Sequence, residues 1–134
     1  QRPDLYGAVI SGSPLGDMKR YDKLLAGASW VDEYGDPDKP EDWAFMSRYS
    51  PYQNLRRGVD YPAVFFYSST KDDRVHPGHA RKAAARLGEY GNRFYFHEYM
   101  EGGHSVGADP EEDAKRAALL LAYLNRELGD EGGK

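Results

Sequence analysis

Two stretches carry residue types that could do chemistry together. Lys71-Asp72-Asp73-Arg74-Val75-His76-Pro77 follows an apolar run and precedes a helical pattern, and Glu101-Gly102-Gly103-His104 follows the next apolar run. An acid and a histidine at successive strand ends can share a proton-transfer task. The carboxylate fixes the imidazole tautomer and stabilises the imidazolium; the imidazole takes a proton from a hydroxyl nucleophile and returns it to the leaving group. Acid before histidine, with the nucleophile ahead of both, is the chain order of α/β hydrolases. Alone, each residue has a plainer explanation: an Asp after a strand is usually a turn residue, and a single His is more often structural. The pair in this order is what favours chemistry. His76 and His79, three apart at a helix start, could suggest a metal, but zinc takes three or four ligands and no third is apparent. No metal and no cofactor is assigned.

The elements that must position these residues alternate. Residues 7–11 read as a short buried strand, and 17–25 as a helix with Asp17 as its N-cap. A loop rich in turn formers follows, through Trp30 and Tyr34 to Pro37. A second helix is expected from about Pro40, ended by Ser50-Pro51, and residues 52–61 read as loop. Residues 63–67 are apolar on both faces, as a central parallel strand requires. A third helix is expected over 77–87, and 93–99 alternates as a strand near the sheet edge. Asp109-Pro110-Glu111-Glu112 opens a last helix with a cap, a proline and acids. Its Ala114, Ala117, Ala118, Leu121, Leu124 and Leu128 predict one buried face, and Gly129 ends it.

This order predicts an α/β fold with a mostly parallel sheet flanked by helices. Residues 1–129 are expected to form one unit and 130–134 a flexible tail. Three strands are few for two helical layers, and Gln1 to Leu5 enter a strand without an initiator Met. The expectation is therefore the C-terminal half of a larger sheet, its other half upstream.

Composition excludes several function classes. With 40% hydrophobic and 30% charged residues, the 134-residue chain is that of an ordinary globular domain. A net charge of −4 argues against a nucleic-acid partner and against docking on anionic membranes. There is no cysteine, so no disulfide and no thiolate nucleophile. No apolar run reaches the length of a spanning helix. Cytoplasm and periplasm are equally compatible.

The motifs together resemble the C-terminal part of the catalytic domain of the prolyl oligopeptidase family of serine peptidases. The resemblance rests on Ser69 to Pro77, Glu101 to His104, Gly27 to Gly35 and Tyr49 to Asn54, in family order. It implies an α/β-hydrolase domain that cleaves short peptides after proline or a related residue. By the same resemblance, Asp72 matches the triad acid and His104 the general base. Arg74 matches an arginine that binds a substrate carbonyl, and Trp30 an indole that stacks on the ring of the residue before the cleaved bond. Tyr34, Val75 and Leu15 resemble further walls of that pocket. Each has a plainer alternative: a surface ion pair for Arg74 with Asp72 or Asp73, a core tryptophan for Trp30.

The nucleophile is missing from this pattern. The family serine sits in a Gly-x-Ser-x-Gly elbow. Ser13 is flanked at minus two and plus two by Ser11 and Leu15, and Ser11, Ser68 and Ser69 fail the same test. The 134 residues are thus expected to bind peptide and to pair with the upstream half of the same domain, and to be inactive alone. The alternatives are a non-catalytic complementing or self-associating piece, working through an exposed sheet edge, or another α/β hydrolase such as an esterase.

Overall fold

The computed structural model describes residues 1–105 and 109–129; the expected tail at 130–134 lies outside the described residues. Three strands, β1 (Val9–Gly12), β2 (Val64–Ser69) and β3 (Phe94–Tyr99), form a parallel sheet in the order β1-β2-β3. Val9 pairs with Val64, and Val64 with Phe94, so all three strands start level and end on one side. Functional groups of open parallel sheets gather beyond those carboxyl ends. Short helices α1 (Val31–Tyr34), α2 (Pro40–Met46) and α3 (Pro51–Asn54) lie between β1 and β2. The longer α4 (Gly78–Glu89) and α5 (Pro110–Leu128) follow β2 and β3.

Side-chain alternation along β2 sets the layers, because successive residues face opposite sides. Phe66 faces α4 and packs with Ala80, Ala83, Ala84 and Leu87, all nearly inaccessible. Alanines at these positions let the helix backbone come close to the sheet. Phe65 faces the other way, with its ring 5.4 Å from that of Tyr123 on α5. Tyr123 is buried, and its hydroxyl accepts from the Val9 N–H at 2.8 Å and donates to the Ala63 carbonyl at 2.5 Å.

Three expectations need correction. Residues 17–25 form no α-helix; they form two 3₁₀ segments, Tyr21–Lys23 and Leu25–Trp30. Asp17 is not a cap. Its carboxylate turns inward to Lys82 and to Gln53 Nε2 at 2.6 Å, and is only 1% exposed. The chain doubles back over Tyr21 instead, so tightly that a Cβ on Gly27 would fall 1.7 Å from the Tyr21 carbonyl oxygen. Within 52–61, residues 52–54 belong to α3 rather than to a loop.

The third correction concerns α5. Asp109 caps it, accepting from Glu111 N and Glu112 N at 2.9 Å each. Yet the face expected to be buried is mostly open: Ala114, Ala117 and Ala118 are exposed, as are Leu121 at 65% and Leu128 at 60%. Geometry explains this. A 19-residue helix is about 28 Å long, while strands of four to six residues run only about 13–20 Å. The apolar periodicity of α5 exceeds the surface that this sheet offers it.

Candidate active site

The site is built from two turns beyond the carboxyl ends of β2 and β3. After Ser69 the chain turns, and Asp72 folds its carboxylate back over its own backbone. Oδ1 accepts the N–H groups of Arg74 and Val75 at 2.9 Å each, a local turn that aspartate favours. After Tyr99 the second loop passes through Gly102, whose φ of +80° is open to glycine at little cost, and delivers His104. The two loops are joined by Thr70 N–H to the Tyr99 carbonyl at 2.9 Å and by a Lys71–Glu101 ion pair.

His104 meets Asp72 directly. Nδ1 lies 2.9 Å from Oδ2 and 3.1 Å from Oδ1. Burial alone would push the Asp72 carboxyl pKa upward. The hydrogen bonds from His104 and from the Arg74 and Val75 N–H groups outweigh it and hold the pKa below its usual 3.8. Asp72 is thus a carboxylate near neutral pH, an acceptor only, so Nδ1 must carry the proton. Nε2 is left free to accept one. The Asp72 side chain is 0% exposed and that of His104 35%, the exposure expected of an orienting group behind a working one. Asp73 is exposed and does not pair with His104.

A cleft of about 230 Å³ opens beside His104, lined by Gly12, Ser13, Tyr67, Ser105 and Arg116. Tyr67 lies over Gly12, where a Cβ would come within 2.2 Å of its ring. Ser13 has a φ of 39°, and its hydroxyl is buried without a partner among the described residues. No serine hydroxyl of the described residues is hydrogen-bonded to His104. A larger, more apolar hollow of about 450 Å³ lies at the amino ends of the strands, around Val9, Tyr61 and Val64, away from the Asp72–His104 pair. The Asp72–His104 pair makes the smaller cleft the candidate site.

The other expected site residues fall into two groups. Arg74 and Val75 are on the Asp72 turn; Val75 is buried, and Arg74 is exposed with no ion pair among the described residues. Leu15, Trp30 and Tyr34 pack together around Met18, Tyr21 and Met46, each half-buried. The groups are linked by Ala26 N–H to the Arg74 carbonyl at 3.3 Å. Val75 belongs to neither apolar cluster. Of the other histidines, His79 Nδ1 accepts from Asp17 N at 3.1 Å and His76 Nδ1 from Gly78 N at 2.9 Å. Among the described residues, no three histidines or carboxylates gather as metal ligands, and no helix is long and apolar enough to cross a membrane.

Sequence reasoning missed the ion pair of the buried Asp17 carboxylate with Lys82, hidden behind a helix-like apolar pattern. It also missed Tyr67 as a wall of the cleft, since a strand of uniform apolar character does not say which ring reaches its end.

A family model described as the prolyl oligopeptidase family matches residues 1–131. A peptidase from Sinorhizobium fredii is 50% identical over 130 residues, covering 97% of this chain and 18% of that protein. The prolyl endopeptidase of Elizabethkingia miricola is 34% identical over 132 residues, covering 96% of this chain and 19% of that protein. Among solved structures, a post-proline cleaving enzyme from Rickettsia typhi superposes with a TM-score of 0.92 at 40% identity, covering 96% of this chain and 19% of that one. The chain spans less than a fifth of the length of these relatives.

Proposed function

This chain belongs to the prolyl oligopeptidase family, and from that membership we propose that it supplies the acid and base of a serine peptidase that cleaves short peptides after proline. The observation that carries the proposal is the buried Asp72 carboxylate, paired with Nδ1 of a half-open His104 at the carboxyl end of a parallel sheet.

In this mechanism His104 Nε2 accepts the proton of a serine hydroxyl as that oxygen attacks the peptide carbonyl. It then gives the proton to the departing amine. Asp72 holds the imidazole in the tautomer that leaves Nε2 free and stabilises the positive charge that develops. The serine comes from a part of the protein outside these 134 residues, together with the donors that stabilise the oxyanion. Two facts support this: His104 has no serine partner among the described residues, and the relatives are more than five times longer. The chain alone is therefore proposed to have no turnover.

Substrate selection falls to the neighbouring residues. The Trp30 indole offers a flat apolar platform suited to a proline ring, which presents aliphatic faces and no N–H. Leu15, Tyr34 and Val75 form further walls. Arg74, exposed and without an ion pair among the described residues, offers a substrate carbonyl a rigid multi-donor group. Trp30→Ala in the longer protein is expected to lower kcat/KM on a proline-containing chromogenic peptide by about tenfold or more, from loss of an aromatic contact. Substrates with a small residue at that position should be affected less. Unchanged kcat/KM on the proline substrate would remove Trp30 from the pocket.

A second reading draws on the free edge of β1, which pairs only with β2 among the described residues. An open edge is a template for strand addition, so the chain could act as a complementing or self-associating piece. Recovery of peptidase activity on mixing with the remainder of the protein favours the enzyme; an inert dimer unaffected by the remainder favours the second reading.

A further inference from the structure

Ser68 and Ser69 are neighbours at the end of β2, and both are nearly inaccessible, at 1% and 0%. Their hydroxyls fare differently. Ser68 Oγ is buried with no hydrogen-bond partner among the described residues. Ser69 Oγ donates to the Gly102 carbonyl at 2.7 Å and accepts from the Lys71 N–H at 3.1 Å. The Ser69 carbonyl also accepts the Asp72 N–H at 3.2 Å. One residue therefore ties down both ends of the site: the turn that carries Asp72, and the loop two residues before His104.

The aim of this bond depends on Gly102. Gly102 has a left-handed φ of +80°, and its carbonyl accepts the Ser69 hydroxyl at 2.7 Å. The other links between the loops act further out. Lys71–Glu101 is an exposed ion pair, and such pairs hold geometry weakly. Thr70 N–H to Tyr99 O ends the sheet ladder before either loop diverges. Thr70 Oγ1 to Met100 Sδ at 3.5 Å is exposed; apart from the Asp72–His104 pair itself, Ser69 makes the only side-chain hydrogen bond between the two loops that is even part-buried among the described residues.

We infer that Ser69 is a positioning residue for the Asp72–His104 pair: its hydroxyl sets the loop of His104 against the turn of Asp72 through the Gly102 carbonyl. It touches no substrate. The inference rests on the proposed role of that pair, and it calls for an effect on the chemical step rather than on substrate binding. A misplacement of the order of 1 Å at a proton-transfer site costs up to a hundredfold in rate.

The test compares Ser69→Ala, Ser69→Cys and Ser68→Ala in the longer protein. Ser68→Ala removes the same atoms from an adjacent buried position and serves as the control. Ser69→Ala is expected to lower kcat by about ten- to a hundredfold, with KM within about twofold of the parent. Ser69→Cys, which keeps a weaker donor, should fall between, and it decides the matter if Ser69→Ala does not fold. Ser68→Ala should match the parent. In parallel, proton NMR of the His104 ring should show a downfield Nδ1–H resonance in the parent and in Ser68→Ala, broadened or lost in Ser69→Ala. Equal kcat in all variants with the resonance intact would overturn the inference, as would equal losses in Ser68→Ala and Ser69→Ala. If the longer protein hydrolyses no peptide, the proposed function fails, and the resonance alone decides the inference.

Discussion

The two long helices lie on opposite faces of one sheet and are buried to very different extents. On α4, His79, Ala80, Ala83, Ala84 and Leu87 are inaccessible. On α5, Tyr123 alone is buried among the described residues, and Leu119, Leu121 and Leu128 face outward. Both helices carry apolar residues at helical spacing. The difference is that α4 lies over β2, the central strand, with Leu55, Tyr61 and Val64 closing its flanks. The narrow sheet covers only a small part of α5, and one tyrosine hydroxyl anchors it to the backbones of β1 and of Ala63. A periodic pattern shows which side of a helix is apolar; it does not show how much surface is there to receive it.

A graded set of substitutions sharpens this contrast, read by urea unfolding of the chain. Leu87→Ala removes a side chain 1% exposed and is expected to cost about 2–5 kcal/mol. Tyr123→Phe leaves the Val9 N–H and the Ala63 carbonyl without their partner and should cost about 1–3 kcal/mol. Leu121→Ala, at 65% exposure, should stay within about 0.5 kcal/mol. A Leu121→Ala loss as large as that of Leu87→Ala would mean that the open face of α5 is covered in solution.

Acid should attack the packed side first, because the buried titratable groups sit there. His79, 2% exposed on α4, has its pKa pushed below the usual 6.5 by burial; Lys82 and His76 add to this, and Asp17 opposes it. The unfolded chain then takes up this proton first. The stability from neutral His79 is full above about pH 6.5 and is lost as pH falls toward the folded value. Asp72 and Asp17 have pKa values held below 3.8, against the upward push of burial, so their contribution is present above 3.8 and lost on further acidification. Thermal midpoints should fall in two limbs, and His79→Gln should flatten the upper limb while leaving the lower. A single limb below pH 4 in both proteins would show that His79 titrates normally.

The legible parts of the molecule were those written in contiguous residues. The first four residues of β2, Val64 to Tyr67, belong to an unbroken apolar run, α5 announces itself with Asp109-Pro110-Glu111-Glu112, and the Asp72–His104 pair shows in its order along two strand-end loops. Asp72 rather than Asp73 faces the histidine, and Asp72 is the residue that the resemblance matched to the acid. What stayed hidden depended on distant backbone. Asp17 looks like a helix cap until Lys82, far along the chain, draws it inward. Nothing near Ser69 tells that its hydroxyl reaches Gly102 while that of Ser68 reaches no partner among the described residues. The 3₁₀ path from Tyr21 to Trp30 follows from a backbone contact at Gly27 that no local propensity encodes.

The central claim is that these residues shape a peptidase site whose nucleophile lies elsewhere in the protein. A fluorophosphonate probe applied to the 134-residue chain and to the longer protein tests it most directly. The longer protein should be labelled on a serine outside residues 1–134 and should lose that labelling with His104→Ala, while the chain alone takes up no label. Specific labelling of any serine within the chain would contradict the account.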